Sequence, residues 1–248
     1  MIDIGIIGLG RFGKLLHTIL AADFSVAFYD VDRTLANQHD YLPLAQLVQC
    51  KTLFLAMPIS HIESTVRELA PQLIAGTTII DVRSVKCYPV AIMQRELPDT
   101  MNIIATHPMF GPDSFNIADK LAMMIHCVRD HNGNYQQWHD YFANKGWRML
   151  KQTPEEHDRA AAKSQGLTHF LGRILGKANI SSTAINTLGY QKLLDIMTQT
   201  CHDSSQLFTD MMQFNPYIAD MLANFSKAYE EINQQCCLLS KHSQTILS

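Results

Sequence analysis

The chain has 248 residues, of which 47% are apolar and 17% charged, and it carries a formal net charge of -3. That is the composition of a folded chain, long enough for one large domain or two modest ones, and without the basic excess that nucleic acid would require. No apolar run approaches the roughly 20 residues needed to span a bilayer, so no membrane partner is expected.

Met1-Ile2-Asp3-Ile4 leads into an apolar strand, Ile4 to Ile7, with no basic leader or small-residue cleavage site, the pattern expected of a cytoplasmic chain. A helix is predicted over Arg11 to Ala22, then strands over Ser25 to Tyr29 and Thr52 to Met57. Ser60-His61-Ile62-Glu63 reads as a capping box, in which the serine and glutamate satisfy each other's free amides at a helix start. The strand Thr77 to Asp81, a helix near Pro89 to Glu96 and the strand Asn102 to Ala105 come next. Apolar runs at Leu121 to Val128 and Trp147 to Leu150, separated by a helix from about Tyr135 to Asn144, complete the set. Such alternation predicts a parallel sheet with helices on both faces.

At Thr153 the pattern changes. Thr153-Pro154-Glu155-Glu156 offers a threonine cap, proline at the first helical position and glutamate three residues after the cap. Beyond it, Leu193, Leu194, Met197 and Cys201 keep a helical period. The chain is therefore expected to hold a Rossmann-type α/β domain over residues 1–152 and an all-helical domain over residues 153–248, with no further module. The helical part has under 100 residues and many apolar positions, so it is expected to pair two chains into a homodimer. The six cysteines show no CxxC pair and no ligand spacing with histidine, which predicts reduced thiols and no metal site.

Gly8-Leu9-Gly10-Arg11-Phe12-Gly13 joins the first strand to the first helix. Gly8 permits a tight turn, Gly10 a close backbone approach to a pyrophosphate, and Gly13 close packing of helix on sheet; the diphosphate would rest on the helix N-terminus. Asp30, at the end of the second strand, is placed to accept hydrogen bonds from the adenosine ribose, which favours NAD; Arg33 nearby could neutralise a 2′-phosphate and keeps NADP open. Three further polar segments fall where strands or helices of such a fold end or begin: Asp81 to Lys86, Thr106 to Pro112, and Ser164 to His169. Ligands of open α/β sheets lie outside the carboxyl ends of the strands, so Ser84 and His107 should face the nicotinamide, with His107 held in a rigid prolyl turn. Ser84 could alternatively cap the following helix, and His107 and His169 could be structural.

The set GLGRFG, DVRSVK, HPMFGP, SQGLTH and INTLGYQKLLDIMTQTCHDSSQLFTDMMQFNP resembles prephenate/arogenate dehydrogenases, in particular their short arogenate-type branch, from Ile4 to about Tyr217. The resemblance implies oxidative decarboxylation of a cyclohexadienol in tyrosine biosynthesis. It implies that His107 takes the C4 hydroxyl proton and Ser84 helps orient that hydroxyl. Gln165 and His169, four apart on one helical face, would address the substrate's polar side. Asp203 falls where an acidic residue accompanies an amino-acid substrate in that branch, and a carboxylate pairs with the ammonium of arogenate. Bacterial members clamp the ring carboxylate with an arginine in the last helical region. No arginine follows Arg173 here, which leaves Lys192, Gln165 or a partner subunit for that task. His17, His61, His126, His157 and His242 are read as structural or surface residues. Two alternatives stand beside this reading. One is another two-domain dehydrogenase or reductase, of the β-hydroxyacid dehydrogenase or pyrroline-carboxylate reductase type, with Lys163 in the interdomain helix; the other is a non-catalytic NAD-binding protein.

Overall fold

The computed structural model describes residues 3–116 and 121–246, with side chains to residue 239, so His242 lies outside the described side chains. Two compact units emerge, residues 1–161 with 203–215, and residues 162–202 with 216–248. The boundary expected at residue 152 thus lies later in the chain, and one short stretch returns to the first unit.

The first unit is built on a seven-stranded sheet of order β2-β1-β3-β4-β5-β6-β7. Its strands are β1 (Ile4–Ile7), β2 (Val26–Tyr29), β3 (Thr52–Leu55), β4 (Thr78–Asp81), β5 (Asn102–Pro108), β6 (Ala122–Arg129) and β7 (Arg148–Lys151). The helices in chain order are α1 (Arg11–Ala21), α2 (Leu44–Leu47), α3 (Ile62–Leu69), α4 (Cys87–Glu96), α5 (Asn134–Asn144) and α6 (Pro154–Ala161). The sheet is covered on both faces because neighbouring strand residues point opposite ways. Leu53, Leu55, Ile79 and Ile103 pack with Ile62, Val66 and Met93 on one face, while Phe54, Ile80 and Ile104 pack with Leu16, Trp138 and Phe142 on the other.

Strands β1 to β5 are parallel, as alternation predicts, but β6 runs antiparallel to β5 and β7 parallel to β6. The connection from β5 to β6 holds no helix among the described residues, and a short link without a crossover can only return the chain in the opposite sense. The chain passes from β1 to β2 on one side and to β3 on the other. The crevice outside the carboxyl ends of β1 and β3 is therefore the topological switch point, where such sheets bind ligands.

The capping box at Thr153 forms: Thr153 Oγ1 accepts from the Glu156 amide at 3.2 Å, and Glu156 accepts from the Thr153 amide at 2.9 Å. The one expected at Ser60 does not. A 3-10 turn over Ile59–His61 precedes α3, and the Ser60 amide and hydroxyl instead donate to Asp210, at 3.2 and 3.4 Å. Asp210 lies on α9 (Ser205–Phe214), which completes the first unit, with Phe214 stacked on Tyr88 at 4.4 Å between ring centroids.

The second unit holds a π-helical turn over Ala162–Gly166, then α7 (Leu167–Lys177), α8 (Leu188–His202) and α10 (Ile218–Ile246). Helices α7 and α8 come so close that a Cβ at Gly172 would lie 1.9 Å from Thr200 Oγ1. No helix among the described residues is long and apolar enough to cross a membrane.

Candidate active site

The glycine loop turns directly from β1 into α1. Gly8 has φ +98°, and a Cβ there would lie 2.6 Å from the Met57 amide nitrogen, so the position needs glycine on both counts. A Cβ at Gly13 would meet Gly8 O at 2.1 Å, which is how the helix seats against the loop. At Gly10, by contrast, a Cβ would find nothing within 4 Å, and α1 begins there without a side-chain cap. Free backbone amides and the positive end of a helix thus face open space at the switch point, a cradle that fits the diphosphate of a dinucleotide.

Asp30 bonds the loop itself, its carboxylate accepting from the Leu9 amide at 2.6 Å and from the Asp32 amide at 2.9 Å. Arg33 is exposed on a 3-10 turn, where it donates to the Tyr41 hydroxyl at 3.5 Å. Phe12 packs on Phe110, ring centroids 6.4 Å apart. Arg11, on the first turn of α1, donates to both Asp113 oxygens at 2.6 Å and to Asp203 at 3.3 Å. Asp203 follows α8 and starts the stretch that returns to the first unit, so its carboxylate stands beside the glycine loop and is partnered there.

Past the ends of β4 and β5 lies a buried charged cluster. Asp81, 0% exposed, accepts from Arg83 Nε at 2.6 Å and from Lys86 Nζ, and Lys86 Nζ also donates to the Thr106 carbonyl at 2.6 Å. This braces the backbone immediately before His107. Burial pushes the Lys86 pKa down, against the pull of Asp81. Two members of the cluster keep unused hydrogen-bonding atoms: Ser84 Oγ and Arg83 Nη2 are buried with no partner among the described residues. Ser84 therefore does not cap α4. That helix is capped from a distance by Asp158, which accepts from the amides of Lys86 and Cys87, both at 2.8 Å.

His107 is not in a turn. It and Pro108 end β5, in register with Met124 and Met123 of β6, so the sheet itself holds the imidazole, which is 6% exposed. Its Nδ1 lies 2.8 Å from His157 Nε2, and His157 Nδ1 lies 2.8 Å from Asp158 Oδ1. His157 is thus the buried neighbour of the candidate His107, a contact that its position in the sequence did not disclose; the one local hint was a His-Asp pair in the first turns of a well-capped helix. Burial, then His157 and Lys86, hold His107 well below the usual histidine pKa.

The remaining candidates belong to the second unit. Gln165 is half-buried in the π turn, His169 is buried on α7 at 5% exposure, and Lys192 is exposed on α8. A π turn widens the helix just before α7, with Gln165 inside that turn and His169 on α7 beyond it. Lys163 is exposed in the same turn. The described residues contain no cluster able to hold a metal.

Comparison with known proteins gives a consistent set. Residues 22–122 match the family model "Prephenate dehydrogenase, nucleotide-binding domain", and residues 174–246 match "TYRAAT1-like, C-terminal domain". The chain is 31% identical to arogenate dehydrogenase 2, chloroplastic, of Arabidopsis thaliana, over 94% of this chain and 70% of that protein. It is 33% identical to arogenate dehydrogenase 1 of the same plant, over 99% of this chain but only 41% of that protein's length. In fold it is similar to prephenate dehydrogenase from A. aeolicus in complex with hydroxyphenyl propionate and NAD+, with 14% identity, TM-score 0.72, and 97% and 92% of the two chains covered. Synechocystis arogenate dehydrogenase gives TM-score 0.67 at 19% identity, covering 97% of this chain and 93% of that one.

Proposed function

Because the chain belongs to the prephenate/arogenate dehydrogenase family, we propose that it oxidatively decarboxylates arogenate or prephenate in tyrosine biosynthesis, with NAD as cofactor. The observation that carries the proposal is His107: a buried imidazole fixed at the end of a strand and held well below the usual histidine pKa, with a buried Ser84 hydroxyl, unpartnered among the described residues, past the end of the neighbouring strand.

The loop from Gly8 to Gly13 would hold the diphosphate through the amides of Arg11, Phe12 and Gly13, and Asp30 would meet the ribose. A bound nicotinamide supplies the hydride acceptor. On the protein side, His107 accepts the proton of the C4 hydroxyl and Ser84 hydrogen-bonds the same oxygen. As the C4 hydrogen leaves with its electron pair, the C1–carboxylate bond breaks, CO2 departs and the freed electrons complete the aromatic ring. Both residues are buried, so their interactions with a developing oxyanion are not diluted by water.

A base that stays neutral at low pH remains available there. Sign follows from the direction of the shift. Between the unfolded histidine value of about 6.5 and the lower folded value, the folded chain keeps His107 unprotonated while the unfolded chain takes the proton. The acid limb of kcat/KM is therefore expected below about pH 6.5, and this residue makes stability fall as pH drops through the same window. A pH–rate profile whose acid limb lies at or above that value would contradict the assignment.

Steady-state kinetics with all four pairings of arogenate or prephenate with NAD or NADP tests the function, and no turnover with any pair would refute it. The same experiment reads specificity. We propose that Asp203 favours the ammonium of arogenate, so Asp203→Asn is expected to shift the arogenate-to-prephenate ratio of kcat/KM towards prephenate by roughly tenfold. An unchanged ratio would leave Asp203 only as the partner of Arg11.

We further propose a homodimer formed through the helical unit, supported by exposed apolar side chains there, including Ile174, Leu188, Leu193, Ile232 and Leu238. Sedimentation at micromolar concentration reads that state directly. We also propose a reducing compartment such as the cytoplasm, supported by six cysteines that form no CxxC pair.

A further inference from the structure

His157 and Asp158 on α6 are 1% and 0% exposed, and neither is accounted for by the chemistry above. Asp158 takes the Lys86 amide on Oδ1 and the Cys87 amide on Oδ2, and Oδ1 also faces His157 Nδ1, each contact being 2.8 Å. A carboxylate that accepts on both oxygens has only lone pairs to offer, so the proton of the third contact sits on His157 Nδ1. In a neutral imidazole the other nitrogen is then an acceptor. His157 Nε2 lies 2.8 Å from His107 Nδ1, so with His157 in its neutral form the donor of that contact is His107. The lone pair of His107 is left on Nε2.

From this chain of contacts we infer that His157 and Asp158 are positioning residues that fix the tautomer of His107, presenting Nε2 as the base to the substrate hydroxyl. The inference rests on the function proposed above for what that nitrogen meets, but the tautomer itself does not depend on it. Asp158 does a second thing with the same carboxylate. By capping α4 at Lys86 and Cys87 it anchors the segment that carries Ser84, so both groups expected to share the hydroxyl are registered to one anion. Asn215 in turn donates to the Asp158 carbonyl at 2.9 Å, which holds α6 in place from the chain just after α9. When His107 takes the substrate proton on Nε2, its Nδ1–H stays bonded to His157, and the new positive charge is separated from the Asp158 carboxylate by a single ring.

Two substitutions divide the role. The side-chain amide of His157→Asn can still reach Asp158 in place of Nδ1, but it leaves His107 Nδ1 without an acceptor. His157→Gln places an amide oxygen near the position of Nε2 and keeps that acceptor. Nitrogen-15 NMR of the imidazoles, in protein purified without substrate, is expected to show the wild-type His107 protonated on Nδ1, the same form in His157→Gln, and a mixture of tautomers in His157→Asn. In turnover, His157→Asn is expected to lose roughly 10²-fold in kcat with KM and dinucleotide affinity little changed, and His157→Gln to recover most of it. A wild-type His107 protonated on Nε2 overturns the inference, as does equal turnover by the two variants. A wild type with the assigned tautomer but no turnover on either substrate would overturn the proposed function and leave this inference standing.

Discussion

His107→Asn is expected to lower kcat/KM by roughly 10²–10⁴-fold while leaving dinucleotide affinity and fold intact. The substitution is chosen for its geometry. An asparagine amide can occupy the place of Nδ1 and continue to donate to His157 Nε2, so the buried polar chain to Asp158 keeps its partners. What disappears is Nε2, the atom assigned to take the proton. The size of the loss follows from replacing a positioned base with water, which must enter a region where His107 is now only 6% exposed. Equilibrium binding of NAD separates the possibilities: the amides of the glycine loop do not involve β5, so affinity should be retained. Turnover within a few-fold of wild type would remove His107 from the mechanism.

The half of the site that is local was readable before the structure. Gly8 and Gly13 announce a strand–turn–helix because each answers a backbone constraint within a few residues, and both constraints are met. The capping box at Thr153 is local in the same sense and forms as expected. Ser60 carries the same signature and fails, because Asp210, 150 positions further along, competes for its amide. The direction of β6 was not legible either: Ala122–Arg129 is apolar on both faces whichever way it runs, and pleat periodicity carries no sense of direction. Most costly was His157. Nothing in a helix beginning Pro154-Glu155-Glu156-His157-Asp158 says that its histidine will meet another one 50 positions earlier, since that pairing exists only once α6 packs beside α4 and β5. The residues proposed to touch the substrate stood out by their place at strand ends; the residue proposed to orient them did not.

The other large effect is expected in stability. Asp81→Asn should cost roughly 3–5 kcal/mol, because it strips the anion from two buried cations and leaves them uncompensated. Asp81 lies between Arg83 and Lys86, with all three less than 10% exposed. An asparagine oxygen can still accept from Arg83, but it supplies no charge, and Lys86 Nζ makes no other ion pair among the described residues, the Asp158 carboxylate being bonded to the Lys86 amide instead. Lys86 has one escape, which gives the prediction a second edge. Burial already lowers its pKa and Asp81 raises it again, so removing Asp81 lets the pKa fall further. With the folded value below the unfolded one, near 10.4, the folded state binds fewer protons and stability climbs as pH rises through that interval. The deficit of Asp81→Asn relative to wild type should therefore be smaller at a pH nearer the unfolded lysine value than at neutral pH, by no more than about 1.4 kcal/mol for each unit of pH. A double change, Asp81→Asn with Lys86→Met, should recover part of the loss, limited by the Thr106 carbonyl that Lys86 no longer satisfies. Denaturant midpoints at the two pH values decide it: a loss below about 1 kcal/mol, or one independent of pH, would mean that water reaches the cluster and that the charges near His107 are not held in a dry interior.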